Sequence, residues 1–270
     1  MIATGGGIVV VGRKVAPQND PLWTVRVVGT LREGGLPGDL LAYGDRLWSS
    51  RRWLDAADIF IAMSESGLGE SARDRLQMVV KRAAREMKSA ESAEDRAAFA
   101  RIAAQLAPVA WERTVALEVM AAALLELKGR EEEALDASLA VLSETAFTVD
   151  TAALRVRQGA RTTVTRLLER RPARASYAER SARAFKRMNE EDPPELFKFA
   201  ASFPHDTLGV GALVTLLETA PGASVERVVD LVLEVEAGLT REEREKLVRA
   251  MRKRTNPERG VVQAVGWMTR

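Results

Sequence analysis

The chain has 270 residues, of which 46% are hydrophobic, 29% charged and 5% aromatic, and its formal net charge is +2. That apolar content is enough to bury a core in one large domain or two smaller ones, and too high for a disordered chain. The absence of cysteine excludes disulfides, thiolate catalysis and cysteine-ligated metals, and no apolar run approaches the roughly 20 residues of a membrane-spanning helix. A soluble, cytoplasmic protein is the expectation.

Taken in chain order, GIVVVGRKV and LWTVRVVGTL flank the turn-like APQND and are rich in β-branched residues. They read as two strands of a β-hairpin in an N-terminal element spanning residues 1–37. The opening MIATGGGIVVVGRK has no basic residue ahead of its apolar run, unlike a secretory signal. An isolated two-stranded hairpin is marginal in water, so this one has to dock on helices or complete a sheet supplied from elsewhere. Gly7 and Gly12 have the spacing of a phosphate-binding loop, but Arg13 and Lys14 follow where that motif needs lysine and then serine or threonine. The intervening IVVV is a stiff strand former, and nucleotide binding is not expected there. REGGLPGD then breaks the chain.

Residues 38–270 read as one α-helical, repeat-like domain. Between 71 and 88, Ala72, Leu76, Val79, Val80, Ala83, Ala84 and Met87 form one apolar stripe, with Lys81, Arg82, Arg85 and Lys88 mainly outside it. Further helices are expected at about 92–107, 110–128, 131–144, 151–171, 175–189, 194–202, 206–219, 224–237 and 240–254. Pro108 stops one of them and Gly129 separates the next two. Asp192 ahead of Pro193 and Pro194, and Thr240 paired with Glu243, are helix starts. Short links between helices imply antiparallel neighbours.

GDRLWSSRRWLDAADIF, residues 44–60, joins two of these helices across a short polar break. Leu40, Tyr43, Gly44, Leu47, Trp53, Ala56, Phe60 and Met63 have the spacing of a tetratricopeptide repeat, and the stretch at about 40–68 resembles that family. The resemblance implies a structural clasp in which Gly44 and Ala56 let two helices approach while Leu47, Trp53 and Phe60 fill the space around them. A weaker echo at about 118–146 places Ala122, Leu125, Gly129, Ala134 and Val141 in the same order. Ala56 and Ala134 lie 78 positions apart, which is no multiple of the roughly 34-residue repeat. The expected fold is therefore mainly α, an irregular antiparallel helical-hairpin solenoid with a small N-terminal β-hairpin. The resemblance implies a non-catalytic protein–protein interaction scaffold with a groove for a peptide or protein partner. Residues 1–30 also resemble strands of a quinone-type β-propeller blade. No second blade follows and no quinone cofactor is implied, although membership of a propeller would imply an envelope association.

Candidate chemistry is sparse. His205 is the one histidine and cannot supply a multi-histidine metal site. With Asp206 it has the makings of a base and its orienter for a hydrolase, or else it is a turn residue ahead of a helix capped by Asp206. GREEEALD at 129–136 and NEEDPPE at 189–195 lack the ligand spacing of a calcium loop and fit helix starts, where acids suit the dipole. No metal or cofactor is expected.

Charge falls in blocks. Residues 112–150 carry nine acids against three bases, 155–187 eleven bases against two acids, and 189–236 ten acids against two bases. On a helix over 151–171, Arg155, Arg166 and Arg170 would project from one side, with Leu154, Val164 and Leu167 facing inward. That stripe would suit an anion, a nucleic acid or an acidic protein. Alternatively, the blocks attract one another across neighbouring helices. The arginines have no interleaved aromatics to stack bases. A protein scaffold is the leading reading, anion or nucleic-acid binding through 155–187 the second, and a hydrolase using His205 and Asp206 the last.

Overall fold

The structure, a computed structural model, describes residues 2–5, 8–15, 22–30, 37–65, 70–253 and 259–269. It is mainly helical, with thirteen α-helices among the described residues, none of them long and apolar enough to cross a membrane. The chain divides into two compact units, Met1–Met120 and Ala121–Arg270.

The first unit opens with strands β1 (Ile2–Gly5), β2 (Ile8–Val15) and β3 (Leu22–Thr30), which pair antiparallel in that order. Gly12 lies within β2 opposite Val25, so the second glycine of the phosphate-loop spacing belongs to a strand; Gly7 lies outside the described residues. Helices α1 (Pro37–Ser49), α2 (Trp53–Glu65), α3 (Glu70–Ser89) and α4 (Ala93–Leu106) follow, and α5 (Ala110–Leu125) runs across the boundary between units. Each of α1 to α3 packs on its successor. The stripe on α3 buries Ala72, Val79, Ala83 and Met87, whereas Ala84, expected inside, is exposed.

The turn from α1 to α2 closes α1 with a 6→1 bond from Arg52 N–H to Leu47 O (2.9 Å) and a 5→2 bond from Arg51 N–H to Trp48 O (3.1 Å). This is the Schellman arrangement, whose pivot residue is left-handed and usually glycine. Here the pivot is Arg51, at φ 60°. The close approach of the two helices is made by Gly44 against the Phe60 ring, because a Cβ on Gly44 would lie 2.5 Å from Phe60 Cε1. Leu47, Trp53, Ala56 and Phe60 are all buried around it. Trp48 and Trp53 meet edge to face at 4.8 Å, and Trp53 reaches Phe99 of α4 at 5.1 Å. Arg82 of α3 lies over both indoles, 5.5 and 5.2 Å from the ring centroids of Trp48 and Trp53. Trp53 Nε1–H donates to Asp95 at 2.9 Å, and Arg75 holds Asp45 with two bonds of 2.9 and 3.1 Å.

The second unit contains α6 (Glu131–Thr145), α7 (Thr151–Leu168), α8 (Arg171–Arg187), α9 (Pro193–Ser202), α10 (Thr207–Thr219), α11 (Gly222–Val235), a 3-10 turn at Glu236–Gly238, α12 (Arg241–Arg252) and α13 (Arg259–Met268). Helix α10 packs against α8, α9, α11 and α12. Its exposed face is a narrow stripe of Thr207, Gly211, Thr215, Glu218 and Thr219, and the rest of its surface is buried or half-buried, as a central helix requires. Asp150 and Asp206 cap α7 and α10 by accepting from Ala153 N–H and Leu208 N–H, and Thr240 with Glu243 forms a full capping box on α12. Asp192 occupies the cap position of α9 without a side-chain bond. Contacts also join helices distant in the chain: α6 with α9, α10 with α12, and α11 with α13.

Three expectations require correction here. Ala122, a small position of the 118–146 echo, is exposed, although Ala134 and Val141 are buried. Helix α7 stops at Leu168, so Arg170 is not on that helix but at the cap position of α8. Helix α13 goes unread in the sequence because Gly260 and Gly266 weaken its helical pattern; Val261, Ala264 and Met268 are buried along one side.

Replacing Gly44 with leucine is expected to overpack α1 against Phe60 and cost about 1–3 kcal/mol. Urea denaturation of the full chain measures this, and an unchanged midpoint rejects the close approach. Arg51→Gly is expected to act the other way. It relieves a left-handed side-chain penalty of roughly 1–2 kcal/mol, less about 0.5–1 kcal/mol for the extra freedom of unfolded glycine. A melting temperature below that of the wild type would rule this out.

Candidate binding site

Helix α7 buries two arginines in the second unit. Its buried side consists of Ala153, Arg157, Ala160, Arg161, Thr163, Val164 and Leu167. The two arginines thus occupy positions of the apolar stripe, with Arg157 4% and Arg161 8% exposed. Arg157 Nη1 donates to the carbonyl of Thr145 at 2.7 Å and, at longer range, to those of Thr148 (3.3 Å) and Ala146 (3.4 Å). It thereby supplies a cation and donors to the C-terminal end of α6, where carbonyls lack helical partners. Arg157 Nη2 donates to Glu234 Oε1 of α11 at 3.0 Å, and Arg161 Nη1 donates to the other oxygen, Oε2.

One carboxylate therefore serves two guanidiniums. Arg157 Nε, Arg161 Nε and Arg161 Nη2 are buried and have no hydrogen-bond partner. Burial pushes Arg161 below the usual arginine range, and the pull of Glu234 offsets this only in part. Glu234 itself keeps 26% of its side chain exposed, so water reaches the pair from one side.

Two clefts flank this triad and share Leu154 and Glu234 in their walls. The first, of about 510 Å³, is mainly apolar and is lined by Phe147, Val149, Leu154, Phe197 and Leu233, with Arg227 and Asp230 among its polar residues. Phe147 and Phe197 stack with centroids 5.4 Å apart. Phe147 is 45% and Val149 68% exposed, and Leu154 and Leu233 are exposed as well. Leu154 was expected to face inward beside Val164 and Leu167, which are fully buried; instead it stands at the mouth of this cleft. The second cleft, of about 600 Å³, is lined by Gln158, Arg161, Thr162, Thr165, Arg166 and His205 together with the apolar Leu154, Val235 and Ala237.

His205 packs onto Gly238, where an added Cβ would lie 2.4 Å from the imidazole Cε1. Its backbone N–H donates to the Tyr177 hydroxyl at 3.4 Å. Burial, and then the charge of Arg161, lowers the imidazole pKa against the opposing effects of Glu243 and the Gly238 backbone. Asp206 Oδ1 accepts from Leu208 N–H and from the buried Ser181 hydroxyl, each at 2.9 Å. No hydrogen bond joins Asp206 to the His205 ring among the described residues, and His205 Nε2 has no partner. The geometry holds Asp206 as a cap and does not align a serine, this histidine and this aspartate in a relay. Among the described residues, no cluster of three or more histidine, aspartate or glutamate side chains could hold a metal.

The arginines singled out in the sequence are dispersed. Arg155 and Arg166 are exposed on α7. Arg170 instead pairs with Glu131 at 2.7 Å and reaches the Leu125 carbonyl at 3.4 Å. Arg180 of α8 pairs with Glu132 and Asp136 of α6 at 2.7 and 2.8 Å. The basic block is thus partly consumed by both acidic blocks. Arg157 and Arg161 are the residues that sequence reading passes over. Their signal is a basic pair, four apart, standing within an apolar helical stripe.

Glu234→Gln is expected to lower stability by about 2–4 kcal/mol, since it leaves two buried guanidiniums without a counter-charge. An unchanged denaturation midpoint would reject the triad as a structural tie. Folded His205 resists protonation, whereas the unfolded imidazole takes up a proton near pH 6.5. Its contribution to stability is therefore complete above that pH and declines as the pH falls through it. The stability difference between wild type and His205→Gln should shrink or change sign on going from pH 8 to pH 5.5, and a constant difference would contradict the assignment. Comparison with protein families, with curated protein sequences and with solved structures gives no match, so the reading of these clefts rests on their own chemistry.

Proposed function

We propose that the chain is a non-catalytic protein-interaction module whose second unit receives an apolar segment of a peptide or protein partner in the cleft beside Phe147 and Phe197. One observation carries this reading. Phe147, Val149, Leu154 and Leu233 remain exposed together around one concave site, where a chain with no partner would gain by burying them. Arg227 and Asp230 line the same cleft and provide polar contacts of both signs, as interface rims do.

The same proposal takes α1 and α2 as a tetratricopeptide-like hairpin within an irregular helical solenoid, supported by the contact of Gly44 with Phe60 and the burial of Ala56. It takes the N-terminal strands as a β-hairpin element docked beside α2, which contacts β1 and β2. Nucleic-acid binding through 155–187 is less favoured, because Arg157, Arg161, Arg170 and Arg180 already hold protein acceptors.

Selection of displayed random peptides on the full chain tests the proposal. Peptides with bulky apolar residues are expected to be enriched, and Phe147→Ser with Leu233→Ser should reduce their affinity at least tenfold while the circular dichroism spectrum is kept. Equal binding by the wild type and the double variant would reject the site. A single-stranded DNA probe is expected to show no saturable anisotropy change near physiological ionic strength. Saturable binding lost on Arg155→Gln and Arg166→Gln would favour the nucleic-acid reading instead.

A further inference from the structure

We propose that the cleft beside α12, which Met268 and Thr269 at the end of α13 also line, docks an acidic segment of a protein partner, one whose carboxylates flank an apolar side chain. This surface shares no lining residue with the apolar cleft beside Phe147, so it goes beyond the reading above and does not rest on it.

The first argument is the placement of charge. Residues 241–259 carry eight bases against four acids. Arg241, Arg244, Arg249 and Arg252 all line one cleft of about 920 Å³, and Glu245 is the one acid in its lining. Their spacing puts the four arginines on one face of α12, along about 16 Å of its axis. Arg241 pairs with Glu245 at 3.0 Å, and Arg244 approaches Glu236 to 3.7 Å. Arg249 donates from Nε to the Glu245 carbonyl at 3.3 Å, and neither Arg249 nor Arg252 holds a carboxylate among the described residues. The other acids of α12 are committed elsewhere: Glu242 pairs with Lys246 at 2.9 Å, and Glu243 closes the capping box. Arg249 and Arg252 stand in the last turn, where the helix dipole favours cations, but Arg241 opens the helix, where it does not. Helix stability alone does not account for the row.

The second argument is access and shape. Arg241, Arg249 and Arg252 are exposed, so their guanidiniums meet a ligand from solvent. Arg244 is half-buried and its Nε is shielded, so it contributes charge and not that donor. Leu239, Val248 and Met268 are more than nine-tenths buried and form the apolar base of the cleft. Arginines around an apolar base are the arrangement of a protein interface, and the planar fork of each matches a carboxylate with two parallel hydrogen bonds. Nucleic acid fits less well. No aromatic ring is among the lining residues to stack a base, and a phosphate backbone has nothing to place on the apolar base.

The test uses the full chain and a rhodamine-labelled helical peptide of glutamate, alanine and leucine, followed by fluorescence anisotropy near physiological ionic strength. Saturable binding is expected, and Arg249→Gln with Arg252→Gln should weaken it at least tenfold while the melting temperature is kept. Arg252→Gln alone should weaken it in the same direction, even if the double variant is unstable. Binding should also fall as sodium chloride is raised, and be lost for the same peptide with glutamine in place of glutamate. Phe147→Ser with Leu233→Ser should leave it intact, which separates failure here from failure of the reading above. No saturable binding, equal binding by the wild type and the arginine variants, or equal binding of the glutamine peptide overturns the proposal. Tighter binding of a labelled oligothymidylate, lost in the same variants, would overturn it too and assign the row to nucleic acid.

Discussion

The second unit is organised around two guanidiniums on one carboxylate. Arg157 joins the end of α6 to α11 through α7, because the same group donates to the carbonyls after α6 and to Glu234. Apolar contacts could press these helices together without fixing their register, since dispersion is non-directional. A fork with several acceptors at set distances defines one arrangement. Buried ion pairs often add little net stability compared with apolar packing, so specificity of arrangement is the better account of this triad. Its incomplete satisfaction lies in buried nitrogens: Arg157 Nε, Arg161 Nε and Arg161 Nη2 have no hydrogen-bond partner.

The first unit achieves close packing by a different route. No side chain on Gly44 separates α1 from the Phe60 ring, and the indoles of Trp48 and Trp53 fill the space toward α4. The polar partners here remain near the surface: Arg82 lies over the two indoles and Asp95 accepts from Trp53. These arrangements place charge at the edges of an apolar cluster, whereas α7 places it inside the stripe. Among the described residues, only the second leaves buried arginine nitrogens on this helix without a hydrogen-bond partner.

That difference explains what was legible in the sequence. Local signals read well, because a cap or a stop depends on residues a few positions apart. The capping box of Thr240 and Glu243, the cap at Asp206 and the breaks at Pro108 and Gly129 are all of this kind. The close approach at Gly44 is legible for the same reason, although its partner is the Phe60 ring and not a second small residue. Long-range choices are less legible. Leu154 fits the apolar period yet stands exposed beside Phe147 and Phe197, and Arg157 breaks the period yet is buried, because its acceptors come from the ends of other helices. Charge counts along the chain indicate attraction between blocks, but they do not distinguish Arg170, paired at the surface, from Arg161, paired in the interior.

The block pattern now has a physical meaning. Net charge in 155–187 far exceeds what a neutral helix pair needs, and the acids of α6 and α11 offset much of it through Arg170, Arg180, Arg157 and Arg161. If neutralisation were the whole purpose, the deepest arginines should be the best paired, since desolvation costs most there. The opposite holds: Arg180, at the surface, faces two carboxylates, while Arg157 and Arg161 share one. A fold selected for stability alone has an easy remedy in an added acid on α7 or α11. Arg157 is compensated instead by neutral acceptors, since the carbonyls of Thr145, Ala146 and Thr148 take up its Nη1 donors at the end of α6 and tie that end to α7 without a second carboxylate.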